Sequence, residues 1–313
     1  MNKNSARTVY VNGEFIPEDE ATISIRDMGF IYGDGVFDTA RTFNGKLFRL
    51  EEHIDRLFES LTYTRIDPGL SKQEFITATQ RVVDENQSKL RPGEDYWVTQ
   101  RVSTGLQYLD GETKAYDGST VVIDCVPLPL RARANFFTRG IPVAIAKRPK
   151  IAPAALSPNA KTCNYLNMML AQRELNDSHP GAWALMLDPH GNIAEGAGCN
   201  LFTVKDGVVY TPTTEFILSG ISRSVVIELC KELGIEVRET TLTVESALAA
   251  GEAFFTSTSL CVCPLASLNG QPYAASPGPV TERITRAFAE LVDFDFVAQY
   301  RQFAGGDAST TGL

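Results

Sequence analysis

"RTFNGKLFRLEEHIDRLFESL", residues 41–61, holds two periodicities side by side. Its first half sets two apolar runs on either side of Asn44-Gly45, and Asn-Gly is the strongest short hairpin signal because both residues accept the positive φ of a tight turn. Its second half puts Leu50, Ile54, Leu57, Phe58 and Leu61 on one helical stripe. A hairpin that feeds a helix directly points to an antiparallel sheet with helices packed on it, rather than to a strand–helix–strand crossover.

The flanking sequence extends that pattern. "VYVNGEFI" (Val9 to Ile16) is a second hairpin around Asn12-Gly13, and "SKQEFITATQRVVDE" opens with Ser71 and Glu74 in capping-box spacing, which predicts a second helix. "DYWVTQRVS" and "STVVIDCVPL" are β-rich, so residues 1–127 read as a small antiparallel sheet with two helices. "PLPLRARANFFTRG" mixes proline with arginine and breaks the pattern, placing an inter-domain linker at 128–137. In residues 138–304, strands fall at "IPVAIAK", "AWALMLD", "NIAEGAGCNLFTV", "GVVYTP" and "EAFFTSTSLCVCPL". Turns fall at His190-Gly191, Asp206-Gly207 and Asn269-Gly270, and helices at about 163–176, 222–233 and 279–292. "GGDASTTGL", 305–313, reads as a flexible tail. The expected fold is therefore α/β with α+β character, in two domains whose sheets are antiparallel or mixed.

Composition narrows the class. A net charge of −9 with no basic stretch disfavours nucleic acid as a partner. The six cysteines form no CxxC pair and read as reduced packing residues, while His53, His179 and His190 show no metal-ligand spacing, so no metal is expected. The N-terminus lacks an apolar signal region and no apolar run approaches about 18 residues, which suits a cytoplasmic protein and no membrane partner.

Several residues can carry chemistry. Lys161, in "SPNAKTCNYLNMMLAQRE" (Ser157 to Glu174), sits just ahead of a predicted helix whose positive N-terminal dipole disfavours an ammonium. Alone it is a loop lysine, yet an amine that loses its proton readily is a carbonyl nucleophile. Glu195, in "HGNIAEGAGCNLFTV", sits between two strands among small residues that let a planar ligand approach; the bland alternative is a solvated turn glutamate. A carboxylate beside a pyridine nitrogen keeps that nitrogen protonated and the ring an electron sink. "LSGISRS" (Leu218 to Ser224) offers helix-start amides, and "FFTSTS" offers Thr256 to Ser259, each suited to a phosphate or to simple capping. Arg56 lies beside the apolar stripe, where it can pair with Glu52 or reach a phosphate bidentately.

Taken in order, "YGDGVFDTAR" with "HIDRL", then "SPNAKTCNYLNMMLAQRE", then "AEGAGCNLF", then "LSGISR" with "FFTSTS" resemble the class IV (fold type IV) aminotransferases, which depend on pyridoxal 5′-phosphate (PLP). The resemblance runs from about Val9 to Leu268. It implies a larger C-terminal domain with a mixed, barrel-like sheet, an active site between the domains, and a homodimer or higher homo-oligomer. It implies that Lys161 binds PLP covalently and shuttles the proton, that Glu195 pairs with the pyridine nitrogen, and that Tyr165 bonds near the 3′-oxygen. Arg56, the amides of Ile221 and Ser222, and Ser257 and Thr258 would take the phosphate; Tyr32, Phe37, Thr39, Arg101 and Ser259 would line the substrate pocket.

Within that family the donor is less marked. "YWVTQR" departs from the "YIRP" pattern of branched-chain enzymes, and no arginine or histidine between Val102 and Gly111 supplies the carboxylate trap of D-amino acid enzymes. "YGDGVF" lacks the histidine-containing pattern of (R)-amine enzymes, and "GDGVFDTAR" resembles aminodeoxychorismate lyase. The aromatic Tyr32 and Phe37 favour an apolar amine or amino acid, (R)-amine or branched-chain-like, with a 2-oxo acid as acceptor. The alternatives are a D-amino acid aminotransferase, the lyase, and a non-catalytic module that binds a phosphate ligand.

Overall fold

A computed structural model describes residues 6–107 and 118–304, so the tail expected at 305–313 lies outside them. The chain divides into two compact units, Met1–Leu128 with Ala160–Asn164, and Pro129–Asn159 with Tyr165–Leu313.

The first unit holds β1 (Thr8–Val11), β2 (Glu14–Pro17), α1 (Met28–Tyr32), β3 (Gly35–Phe43), β4 (Lys46–Leu47), α2 (Leu50–Thr64), α3 (Lys72–Asn86), β5 (Tyr96–Ser103) and β6 (Thr120–Pro127). Its six strands form one antiparallel sheet in the order β2-β1-β6-β5-β3-β4. Both Asn-Gly pairs adopt positive φ, at 47° and 98° for Asn12 and Gly13 and at 48° and 77° for Asn44 and Gly45, as two-residue hairpins require. The capping box forms: the Glu74 amide donates to Ser71 Oγ at 3.3 Å and the Ser71 amide to Glu74 Oε2 at 2.7 Å. The buried faces of α2 and α3 close over the sheet, with Ile54, Leu57, Phe75, Val82 and Val83 against Val36, Ala40, Val98 and Ile123. Residues 160–164 join this unit because Thr162 bridges Val36, the Phe37 amide donates to Lys161 O at 3.0 Å and the Cys163 amide to Gly35 O at 2.8 Å.

The second unit opens with two short helical segments, α4 (Leu130–Arg133) and α5 (Phe136–Arg139), where proline and arginine suggested an irregular linker. Leu130, Ala134 and Phe137 are buried, and Phe137 stacks on Tyr300 at 4.3 Å between ring centroids, which anchors the stretch. There follow β7 (Ile141–Ile145), α6 (Leu166–Ser178), β8 (Trp183–Leu187), β9 (Ile193–Gly196), β10 (Cys199–Lys205), β11 (Val208–Thr211), α7 (Ile221–Glu232), β12 (Val237–Glu239), α8 (Val244–Leu248), β13 (Glu252–Ser257), β14 (Cys261–Leu268), β15 (Gln271–Pro272), α9 (Pro279–Leu291) and α10 (Phe296–Arg301). The sheet runs β12-β11-β10-β13-β14-β7-β8-β9, and β9 pairs back on β10, so six of its strands close into a barrel. It is mixed: β14 with β7, β7 with β8, and β11 with β12 are parallel. Closure fixes the register of β9 against β10, which positions Glu195.

Candidate active site

The first unit gathers one set of candidates around β3. Alternation along this strand sends Val36, Asp38 and Ala40 to the buried side under α2, and Phe37 and Thr39 to the other face. Asp38 is fully buried there. Arg56 of α2 donates to it twice, Nε to Oδ2 and Nη2 to Oδ1, both at 2.8 Å. His53, one helical turn earlier, lies with Nδ1 2.7 Å from Oδ1. The partner expected for Arg56, Glu52, instead pairs with Arg49, because Glu52 lies on the outer side of the helix.

The electrostatics of this cluster follow from its burial. Burial by itself raises the Asp38 pKa, but the Arg56 charge and the His53 bond outweigh it and hold the carboxyl well below the usual range. Burial pushes the His53 pKa down despite the Asp38 carboxylate, aided by the Arg56 and Lys161 charges. The imidazole is therefore neutral at physiological pH, and Nδ1 carries the proton, since a carboxylate can only accept.

Lys161 lies in the same unit, its Nζ 4.4 Å from the centre of the Phe37 ring. Its amide donates to Ser60 Oγ at 3.0 Å. Lys161 does not stand at the expected helix start: α6 begins at Leu166 with Tyr165 as N-cap, and a helix dipole fades within its first turn. Lys161 is instead held in an extended segment on β3. Tyr32 ends α1 and is 61% exposed; the following Gly33 has φ 68° and its carbonyl accepts from Asn164 Nδ2 at 3.1 Å. Thr39 Oγ1 lies 3.2 Å from Thr99 Oγ1. Arg101, opposite Phe37 on β5, is exposed and ion-paired with Asp124.

The second unit gathers the others. Glu195 lies within β9, opposite Asn200 of β10, rather than between strands, and it is buried instead of being a solvated turn residue. Asn200 Nδ2 and the Leu218 amide donate to its Oε2 at 3.2 and 3.1 Å, and Lys150 Nζ pairs with Oε1. Gly196 serves this hairpin: a Cβ there would stand 2.4 Å from Cys199 Sγ, so the strand contact itself requires the glycine. α7 starts at Ile221 after Gly220, no side chain caps it, and the buried Ser222 lies in its first turn, so its leading amides suit an anion. A Cβ on Gly220 would stand 2.1 Å from Asn200 Oδ1, so Asn200 joins the helix start to Glu195.

Ser257 ends β13, with Oγ 3.4 Å from Ser259 Oγ, and Thr258 stands in the turn that follows. Arg133 Nη1 and Tyr300 Oη reach Ser259, at its hydroxyl and its carbonyl respectively. Thr256 is directly opposite Asn200, so the two side chains share a face. Its Oγ1 is buried with no hydrogen-bond partner. Tyr165 is half-buried.

The residue types fit PLP. Lys161 supplies an amine for an aldehyde, and Glu195 a buried, well-held carboxylate for a ring N–H. The uncapped start of α7 and the orphaned Thr256 hydroxyl offer donors for an anion. Sequence reasoning missed Asp38, His53, Ser60, Lys150 and Asn200. Asp38 and His53 stood inside the quoted motifs, and alternation from Val36 places Asp38 on the buried side. Lys150 had no signal, since 45 residues separate it from Glu195.

The chain matches the family model described as amino-transferase class IV over residues 35–268, three quarters of its length. The branched-chain-amino-acid aminotransferase of Escherichia coli (strain K12) is 32% identical over 298 residues, covering 93% of this chain and 94% of that protein. A D-alanine aminotransferase of Bacillus licheniformis is 32% identical over 287 residues, covering 91% and 96%. A crystal structure of the Escherichia coli branched-chain amino acid aminotransferase superposes with a TM-score of 0.83, covering 92% of this chain and 95% of that one. The match spans both units, and the chain belongs to the class IV aminotransferases, PLP-dependent enzymes of transamination.

Proposed function

We propose that this transaminase takes its amino group from an apolar donor of the branched-chain amino acid type and delivers it to a 2-oxo acid. The observation that carries the donor class is the state of Arg101: Asp124 engages its charge, while Phe37, directly across from it on β3, and Thr39 share its face of the sheet. An aromatic face with its nearest strand cation already paired suits an apolar side chain. The named substrate of the Escherichia coli relative agrees with this. Exposed Ile23, Ile25, Phe30 and Tyr32 support a homodimer, since a run of large apolar side chains in solvent marks an association surface. Cysteines held in no disulfide support a cytoplasmic enzyme; among the described residues no helix is long and apolar enough to cross a membrane.

Bound PLP supplies an electron sink for the pair left on the donor's Cα when its proton departs. Lys161 would hold the cofactor through its amine until the donor's own amine displaces it, and the freed Lys161 amine would take that proton and return it at the cofactor's C4′. Glu195 would accept from the ring N–H, and Asn200 and the Leu218 amide fix its rotamer. Arg56, the amides of Ile221 and Ser222, and Ser257 and Thr258 would bind the phosphate, and Tyr165 would bond to the 3′-oxygen. Tyr32, Phe37, Thr39, Arg101 and Ser259 would line the donor pocket.

A donor panel tests the reading: L-leucine, D-alanine and (R)-1-phenylethylamine, each with pyruvate and with 2-oxoglutarate. L-Leucine should give the highest kcat/KM. The D-alanine aminotransferase relative favours a second reading, and D-alanine as best donor would install it in place of the first.

A further inference from the structure

The buried face of α2 carries a polar line, His53, Arg56 and Ser60, among Leu50, Ile54, Leu57 and Leu61. His53 and Arg56 are explained by Asp38. Ser60, fully buried, has no part in that pairing. Its hydroxyl donates to Arg56 O at 3.0 Å and accepts the Lys161 amide at 3.0 Å. The Arg56 carbonyl is already served by the helix ladder, so the bond to it adds nothing that α2 requires. Alanine at this point would favour both helix and core. The group that needs the hydroxyl is the Lys161 N–H, which would otherwise be left without this acceptor beside the buried helix face.

We infer that Ser60 is a positioning residue for Lys161. One hydroxyl joins the peptide that bears the amine to the helix turn that bears Arg56, while the Phe37 amide holds the opposite edge of the same residue through Lys161 O at 3.0 Å. Held from both sides, the Lys161 backbone cannot slide along β3, and the reach of Nζ is set by a fixed Cα rather than by a mobile loop. A hydroxyl that donates on one side and accepts on the other also strengthens both bonds by mutual polarisation. The inference rests on the reading of Lys161 as the amine that binds the cofactor.

The test compares Ser60→Ala with Thr62→Ala in the full chain. Thr62 makes the same back-bond within α2, to Phe58 O at 2.8 Å, but on the exposed side. Amide hydrogen exchange of the peptide spanning 160–164 in the apoprotein should quicken about tenfold in Ser60→Ala, the consequence of one lost bond, and stay at the wild-type rate in Thr62→Ala. Affinity for PLP should fall about tenfold in Ser60→Ala. Affinity for pyridoxine 5′-phosphate, which has no aldehyde for an amine to attack, should not change. Ser60→Cys, a weaker acceptor of similar size, should fall between and guards against a packing artefact. Wild-type exchange and PLP affinity in Ser60→Ala, or equal loss of both ligands, overturns the inference. Lys161→Ala separates the two levels: if a borohydride-trapped adduct with PLP persists there, the reading of Lys161 fails, whereas its disappearance alongside a wild-type Ser60→Ala condemns the Ser60 assignment alone.

Discussion

The Lys150–Glu195 pair lends itself to a quantitative test. Both side chains are 6% exposed, and both charges are carried within one unit. Removing one partner of a buried pair leaves the other uncompensated and costs about 3–5 kcal/mol. In Lys150→Met the carboxylate keeps two donors, Asn200 Nδ2 and the Leu218 amide, so the lower end, about 3 kcal/mol, is expected. In Glu195→Gln the amide oxygen can still accept from those donors, but the ammonium is stranded and the cost is similar. The double variant removes both charges and should recover about 2 kcal/mol relative to the sum of the singles. Urea unfolding of the apoproteins at one fixed concentration measures this, with Trp183 on β8 as the fluorescent reporter in the same sheet. Additivity of the singles within about 0.5 kcal/mol, or a Lys150→Met variant within about 1 kcal/mol of wild type, would refute the claim that these charges depend on each other.

Two more outcomes follow from the geometry. Gly220→Ala should weaken PLP binding by the apoprotein about tenfold, the worth of one hydrogen bond, because its Cβ would displace Asn200 from Glu195; φ is −70° there, so backbone strain is not the cause, and an unchanged fluorescence titration sinks the argument. His53 and Asp38 are both held below their ordinary pKa values, so the unfolded chain binds more protons as pH falls and stability drops with it. The His53 part is intact above about pH 6.5 and is lost as pH falls toward its folded value, with Asp38 contributing only below about pH 3.9. His53→Asn should flatten the thermal-melt slope in the upper window, and an equal slope in wild type and variant would count against a buried neutral imidazole.

The hairpins, the capped helices and the antiparallel first sheet were legible because their signals are local: a positive-φ pair, a box of Ser71 and Glu74, a stripe of apolar residues. The helical segments at 130–133 and 136–139 were not, since they are held by Phe137 on Tyr300, a contact across 163 positions that overrides the proline and arginine of the segment itself. Lys161 stands out in the sequence by residue type and motif, but its surroundings do not: they are β3 and α2, not the helix ahead. Arg56 was read against Glu52 because only same-helix neighbours can be counted along a chain, whereas the charge that decides its environment arrives from Asp38 on a strand.

By itself, then, the order of residues determined most strands and the longer helices, which residue types can carry the chemistry, and the family those motifs identify, because each depends on neighbours a few positions away or on linear order alone. Tertiary structure decided which groups share an environment: Asp38 with His53 and Arg56, Ser60 with Lys161, and Lys150 and Asn200 with Glu195. Burial and the pairing of charges are properties of three-dimensional proximity. They are set when a sheet register brings distant residues to one face, and although alternation can mark a buried side, no spacing along the chain encodes which charges meet there.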